Sequence, residues 1–253
     1  MSDSKTRRAR LTLAALGVLT VSVLVGGGIT AAMVLGDDDS AGGTSSSKPT
    51  TTSPSQSGSS QQPGPTPETA DKLKLQVPTG QKDGLSTGFS EGPAGAISTA
   101  VYFWEEYAFL DDQKARQQLE AIVSPDAEGY VDEQISQVRK LRENIGLPPS
   151  GGTPAGVTFT TTVNAVRPTS LDPSGKVVQI WINFDRYATQ ADGSPDDAPL
   201  KDQTTDLILK LQDGAWKITN ESAYWEKRSF ARGYFADSRV SYADGWRQVL
   251  HAD

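Results

Sequence analysis

Two short clusters carry the residue types that acid–base or binding chemistry needs. Asp185 and Tyr187 stand two apart in the alternating stretch VVQIWINFDRYATQ, and Trp181 precedes them with the same parity. Trp104 and Tyr107 stand three apart in ISTAVYFWEEYA, a spacing that places both on one side of a helix. A carboxylate and phenols in an aromatic-walled pocket are the minimum for proton transfer, or for gripping a small ligand without chemistry. Trp104, Tyr107, Trp181, Asp185 and Tyr187 are therefore the ligand-pocket candidates. Asp185 follows the apolar run Val178, Ile180, Ile182 and Phe184, so it either lines the concave side or is a solvated strand residue beside Arg186. No nucleophile–base pair completes the set. The reading is that no residue is catalytic and the chain is not an enzyme.

Other chemistries are closed off by composition. The chain of 253 residues has no cysteine, which removes thiolate metal sites, cysteine nucleophiles and disulfides. Its one histidine, His251, lies near the C-terminus, so a histidine zinc site or a Ser-His relay in the core is ruled out. Asp37-Asp38-Asp39 and the loop with Asp192, Asp196 and Asp197 read as a flanking run and an acidic loop, not as metal ligands. Gly26-Gly27-Gly28 is not followed by the Lys-Ser/Thr of a phosphate loop. No metal and no cofactor is expected. From Leu75 onward 17 Lys/Arg face 25 Asp/Glu, and so acidic a domain is a poor match for nucleic-acid phosphates.

A third cluster lies in Tyr224–Asp253, where Trp225, Phe230, Tyr234, Phe235, Tyr242 and Trp246 follow neither a helical nor a strand period. It reads as an extended arm ending in a short helix near Tyr242–Leu250. Such aromatics serve local packing or a partner. Trp225, Phe230, Tyr234, Phe235 and Trp246 are the partner-surface candidates.

The elements that must position these residues follow from period and punctuation. Pro93 opens a helix whose stripe is Ile97, Val101, Trp104 and Ala108, widened by Phe103 and Tyr107. Ala115, Leu119 and Ile122 make one face of a second helix behind Asp111-Asp112. Ser124-Pro125 starts a third, with the stripe Val131, Ile135, Val138, Leu141 and Ile145, and Gly146 with Pro148-Pro149 ends it. The period then becomes two. Val157, Phe159, Thr161, Val163 and Ala165 share one face of a first strand. Val178–Phe184, Leu207–Leu211 and Trp216–Ser222 give three more, the last two joined by an Asp213-Gly214 turn. The expected fold class is α+β: three N-terminal helices packed on a curved antiparallel four-stranded sheet. Leu75–Glu91 reads as an irregular lead-in.

Upstream lies a different kind of chain. Leu11–Gly36 is apolar and uncharged, long enough to cross a bilayer of roughly 30 Å. Lys5, Arg7, Arg8 and Arg10 precede it, which places the N-terminus in the cytoplasm. The run is longer than a signal-peptide core, so it reads as an uncleaved anchor. The Ser/Thr/Pro/Gly-rich stretch after it cannot bury enough apolar surface to fold. The expected organisation is a basic cytoplasmic tail (1–10), a transmembrane helix (11–36), a disordered linker (37–75) and an extracytoplasmic domain (76–253). Localisation is accordingly at the cell membrane, single-pass, with the cytoplasmic membrane as one partner through Leu11–Gly36.

The hairpin LILKLQDGAWKIT, Leu207–Thr219, resembles the last strand pair of the nuclear-transport-factor-2 superfamily, and the likeness extends over roughly Phe89–Glu221. It implies a cystatin-like cone, inside which some members of that superfamily work as enzymes. With an anchor in front, the chain also resembles bitopic scaffold components of conjugation and type IV secretion machines. It is similar as well to uncharacterised anchored proteins of high-GC Gram-positive bacteria, through Gly95-Ala96…Ala100 and the late Gly245-Trp246. These resemblances imply an extracytoplasmic scaffold or protein-interaction module whose partners are other envelope proteins or further copies of itself. A small-ligand-binding or enzymatic cone and a binder of cell-envelope polymers are the alternatives.

Overall fold

The computed structural model describes residues 64–196 and 198–251. Strand β1 (Leu73–Lys74) leads to a hairpin of β2 (Gly80–Lys82) and β3 (Leu85–Thr87). Helices α1 (Pro93–Glu106), α2 (Asp112–Ile122) and α3 (Tyr130–Asn144) follow. Then come strands β4 (Val157–Ser170), β5 (Val177–Gln190), β6 (Leu200–Gln212) and β7 (Ala215–Ile218). The short helices α4 (Ser222–Trp225) and α5 (Arg239–Ala243) and strand β8 (Arg247–Leu250) complete the order.

The main sheet is six-stranded, in the order β1-β8-β4-β5-β6-β7. β4 to β7 pair antiparallel, β8 lies antiparallel to β4, and β1 runs parallel to β8. The four-stranded antiparallel cone behind a membrane helix is thus not the fold: the sheet is a curled, mixed, six-stranded half-barrel. Two of its strands were invisible to a periodicity reading because they are two and four residues long. Arg247–Leu250, expected as part of a helix, is one of them. Leu73–Lys74, expected at the end of the linker, is the other. Leu75 beside it is buried, and its amide donates to the Leu250 carbonyl at 2.8 Å.

Among the described residues no helix is long and apolar enough to cross a membrane. The expected span Leu11–Gly36 and the basic tail lie outside the described residues, as does the linker up to residue 63. The single-pass anchor, and the cell-membrane location inferred from it, therefore have no counterpart among the described residues.

The inner face of β4–β7 receives the three helices, and the core lies between them. Helix α1 is buried almost all round from Gly95 to Val101, because the β2–β3 hairpin covers the side turned away from the sheet. Its buried hydroxyls are satisfied internally: Ser98 and Thr99 donate to the Ala94 and Gly95 carbonyls, each at 2.8 Å. Asp111 caps α2 by accepting from the Lys114 amide at 2.9 Å. Helix α3 begins at Tyr130, five residues after Pro125. The Ser124 hydroxyl is engaged instead with Gln212 and the Asp126 amide, and Gly129 turns the chain in the left-handed region. Asp112, almost fully buried, accepts from Arg139, the Ser150 hydroxyl and the Gly151 amide, and so ties the 146–156 segment to both helices.

Two bulges set which side chains face in. One falls between Val163 and Ala165 on β4, the other between Phe184 and Arg186 in the β5–β6 pairing. The first shifts β4 by one residue, so Val163 and Val166 face the helices while Ala165 faces out, against the expected alternation.

Candidate functional site

The structure separates the five ligand-pocket candidates. Trp104 and Tyr107 end helix α1 and are buried on the inner side; Trp104 meets Phe184 edge to face, with ring centroids 5.1 Å apart. Trp181, Asp185 and Tyr187 lie on the outer face of β5. There the Tyr187 hydroxyl donates to Asp185 at 2.9 Å, Asn164 donates to the same carboxylate at 3.2 Å, and the Asp202 amide donates at 2.9 Å. Asp185 therefore never faces Tyr107, and a pocket joining all five does not form.

The inner position belongs to the neighbour that the sequence reading passed over. Arg186 continues the inner row of Ile180, Ile182 and Phe184, and only 3% of it is exposed. Its Nε donates to Thr161 Oγ1 at 3.0 Å, and no carboxylate pairs with it among the described residues. The guanidinium lies 3.7 Å from the Phe109 ring centroid, with Phe184 at 5.3 Å and Trp104 at 5.8 Å. Burial pulls its pKa down to about 9, while the nearby Tyr107 oxygen acts in the opposite sense. Burial likewise pushes the Tyr107 phenol up, so it stays neutral. Tyr107 Oη and Trp104 Nε1 are both sealed from solvent without a hydrogen-bond partner. The available signal was parity: two residues beyond Phe184 is 186, not 185.

On the outer face the C-terminal arm is stitched across the sheet. The Trp181 indole donates to the Ser229 carbonyl at 2.9 Å, and Gln179 binds the same carbonyl, the Ser229 amide and Asp206. Asp206, buried, is pushed up by desolvation, and Gln179 and Arg228 only partly offset this. Arg228 pairs with Asp206 at 3.4 Å and lies over the Trp225 ring at 3.1 Å. Further on, Trp246, Tyr242 and Tyr234 form a second small core with Ala165, and the Trp246 indole donates to the Arg232 carbonyl at 2.8 Å. Of the five partner-surface candidates, Tyr234 and Trp246 are thus internal packing, and Trp225 is half-buried under Arg228. Phe230 and Phe235 remain outside, 83% and 69% exposed.

Two further buried or partly buried ionisable groups are committed to structure. Glu105, raised by burial, accepts from the Val163 amide and bonds His251, both at 2.8 Å. Arg142 is spent on the carbonyls of Leu110, Pro148 and Gly152. Among the described residues no group of His, Asp and Glu is arranged to hold a metal ion. What the surface offers chemically is adhesion: two bare phenylalanine rings on an arm fixed from both sides. No family model matches the chain, and no curated protein or solved structure matches it either.

Proposed function

We propose that this protein is a non-catalytic interaction module that docks an acidic protein surface on its C-terminal arm, a second copy of the chain being the simplest partner. The observation that carries this reading is the exposure of Phe230 and Phe235 on a segment whose neighbours are all tied down. Rings left in water on a floppy tail would cost little. On an ordered arm they form a preorganised apolar surface, which binds without a further ordering penalty. Charge supports the acidic partner. Residues 224–250 hold five Lys/Arg against three Asp/Glu, and Lys227, Arg232 and Arg239 are exposed on the same segment as the two rings, whereas the chain as a whole is at −7.

The test is sedimentation velocity on the full chain, wild type against Phe230→Ser/Phe235→Ser, with affinity capture run alongside. Concentration-dependent self-association, or one captured acidic partner, that is lost in the double variant and weakened by salt supports the reading. A wild-type chain that stays monomeric and captures nothing, or a double variant that associates as well as wild type, refutes it.

A further inference from the structure

We propose that the aromatic cage around Arg186 is a receptor for the carboxylate of a small apolar acid. The site is independent of the arm, since its aromatic walls belong to the core on the helical side of the sheet and the arm packs in a separate cluster. The starting point is an uncompensated charge. An arginine that is only 3% exposed ordinarily pairs with a carboxylate, because a lone buried ion is costly. Arg186 has one hydrogen bond, from Nε to Thr161, and its two terminal nitrogens donate to no described residue. Aromatic faces at 3.7 to 5.8 Å stabilise the cation, but they accept none of its remaining N–H groups.

The same cage holds two more polar groups without partners, the indole N–H of Trp104 in the last turn of α1 and the hydroxyl of Tyr107, the residue that ends the helix. All of these groups donate, and the Tyr107 oxygen alone also accepts. Such a set calls for an acceptor. A carboxylate fits best: it is planar and accepts two parallel bonds from a guanidinium. The single cation sets the charge at one, so a dianion such as phosphate would bring uncompensated charge into an apolar surround. The walls of Phe109, Phe184 and Trp104 suit an apolar body behind the carboxylate. Tyr107 and Phe109 are the movable wall. They sit on the non-helical turn between α1 and α2, and admission of the ligand requires that turn to yield, since Tyr107 and Trp104 are sealed when it is closed.

The experiment is calorimetric titration and thermal melting of the full chain with sodium benzoate, acetate and phosphate, with benzamide as the neutral isostere and sodium chloride at matched ionic strength. Saturable benzoate binding and a raised melting temperature are expected, with acetate weaker and benzamide and phosphate silent. Arg186→Met should abolish the effect. Tyr107→Phe removes a hydroxyl that bonds nothing in the closed cage, so it should fold normally yet bind benzoate about tenfold more weakly, as loss of a hydrogen bond to a charged group does. If Arg186→Met does not fold, Tyr107→Phe decides. Absence of saturable benzoate binding, equal binding of benzamide, or unchanged affinity in both variants would overturn the proposal.

Discussion

Trp246→Ala is the perturbation that most directly separates the arm from the sheet. Trp246 is fully buried between Ala165 on β4 and Tyr234, whose ring centroid is 5.5 Å away, and its indole holds the Arg232 carbonyl. Truncating a buried tryptophan costs about 3–5 kcal/mol in lost transfer energy and cavity. The orphaned Arg232 carbonyl adds about 1 kcal/mol. That total of about 4–6 kcal/mol falls on a cluster with few members, separated by the sheet from the main core. The arm should therefore open locally while the helices hold. Hydrogen exchange reads this. In Trp246→Ala, amides from 224 to 250 should lose protection by about three orders of magnitude or more, whereas those of α1 and β5 keep theirs. Self-association through Phe230 and Phe235 should fall in step. Trp246→Phe should lie between. Loss of protection spread evenly over α1 and the arm would refute the idea of a separable arm. So would a change under about 1 kcal/mol.

Three further outcomes follow from single contacts. A Cβ on Gly95 would lie 1.8 Å from the Ser90 carbonyl oxygen, a backbone atom, so Gly95→Ala should cost about 1–3 kcal/mol and lower the melting temperature, although alanine favours helices. Asp112→Asn should destabilise by about 2–3 kcal/mol at pH 7 by weakening the hydrogen bonds from Arg139, Ser150 and Gly151. Burial raises the Asp112 pKa, but those bonds outweigh it and hold the carboxyl below its ordinary value. Its contribution is therefore present above about pH 4 and lost as pH falls through the depressed folded pKa, so melting curves of the two proteins should converge there. Phe230→Ser/Phe235→Ser should leave the unfolding free energy of the monomer, read from urea denaturation, within about 0.5 kcal/mol of wild type, because both rings lie largely outside the core.

Legibility in the sequence followed the length of each pattern. Helices α1 and α2 and strands β4 to β7 lie where apolar spacing repeats over three or more positions, and the Asp213-Gly214 turn stands where it was read, at φ 52° and 77°. The same dipeptide at Asp83-Gly84, φ 53° and 79°, makes the β2–β3 hairpin but was lost in a lead-in without alternation. Two strands of the main sheet were hidden for a related reason. β1 and β8 are too short to show a period and exist because each completes the other beside β4. The arm was unreadable because its aromatics answer to the outer face of the sheet and not to their own backbone period.

The residue that reaches the inner face lies one position beyond the one the sequence singles out. A polar residue at the end of an apolar alternation invites attention to the group with familiar chemistry, here Asp185. Period two gives the inner place to Arg186, and Ala188, buried on the same side, shows that the β5 alternation runs on through it. The bulge after Phe184 adjusts the pairing with β6 without turning Arg186 out. Gln134, Asn183 and Arg228 each leave one buried polar atom without a partner, but only around Arg186 does a charge kept inside against its solvation cost stand, among the described residues, next to both a phenol and an indole that bond nothing. Packing alone would be served as well by leucine or methionine at 186. The guanidinium is the feature that packing does not require, and so it is where a function of the inner face has to be sought.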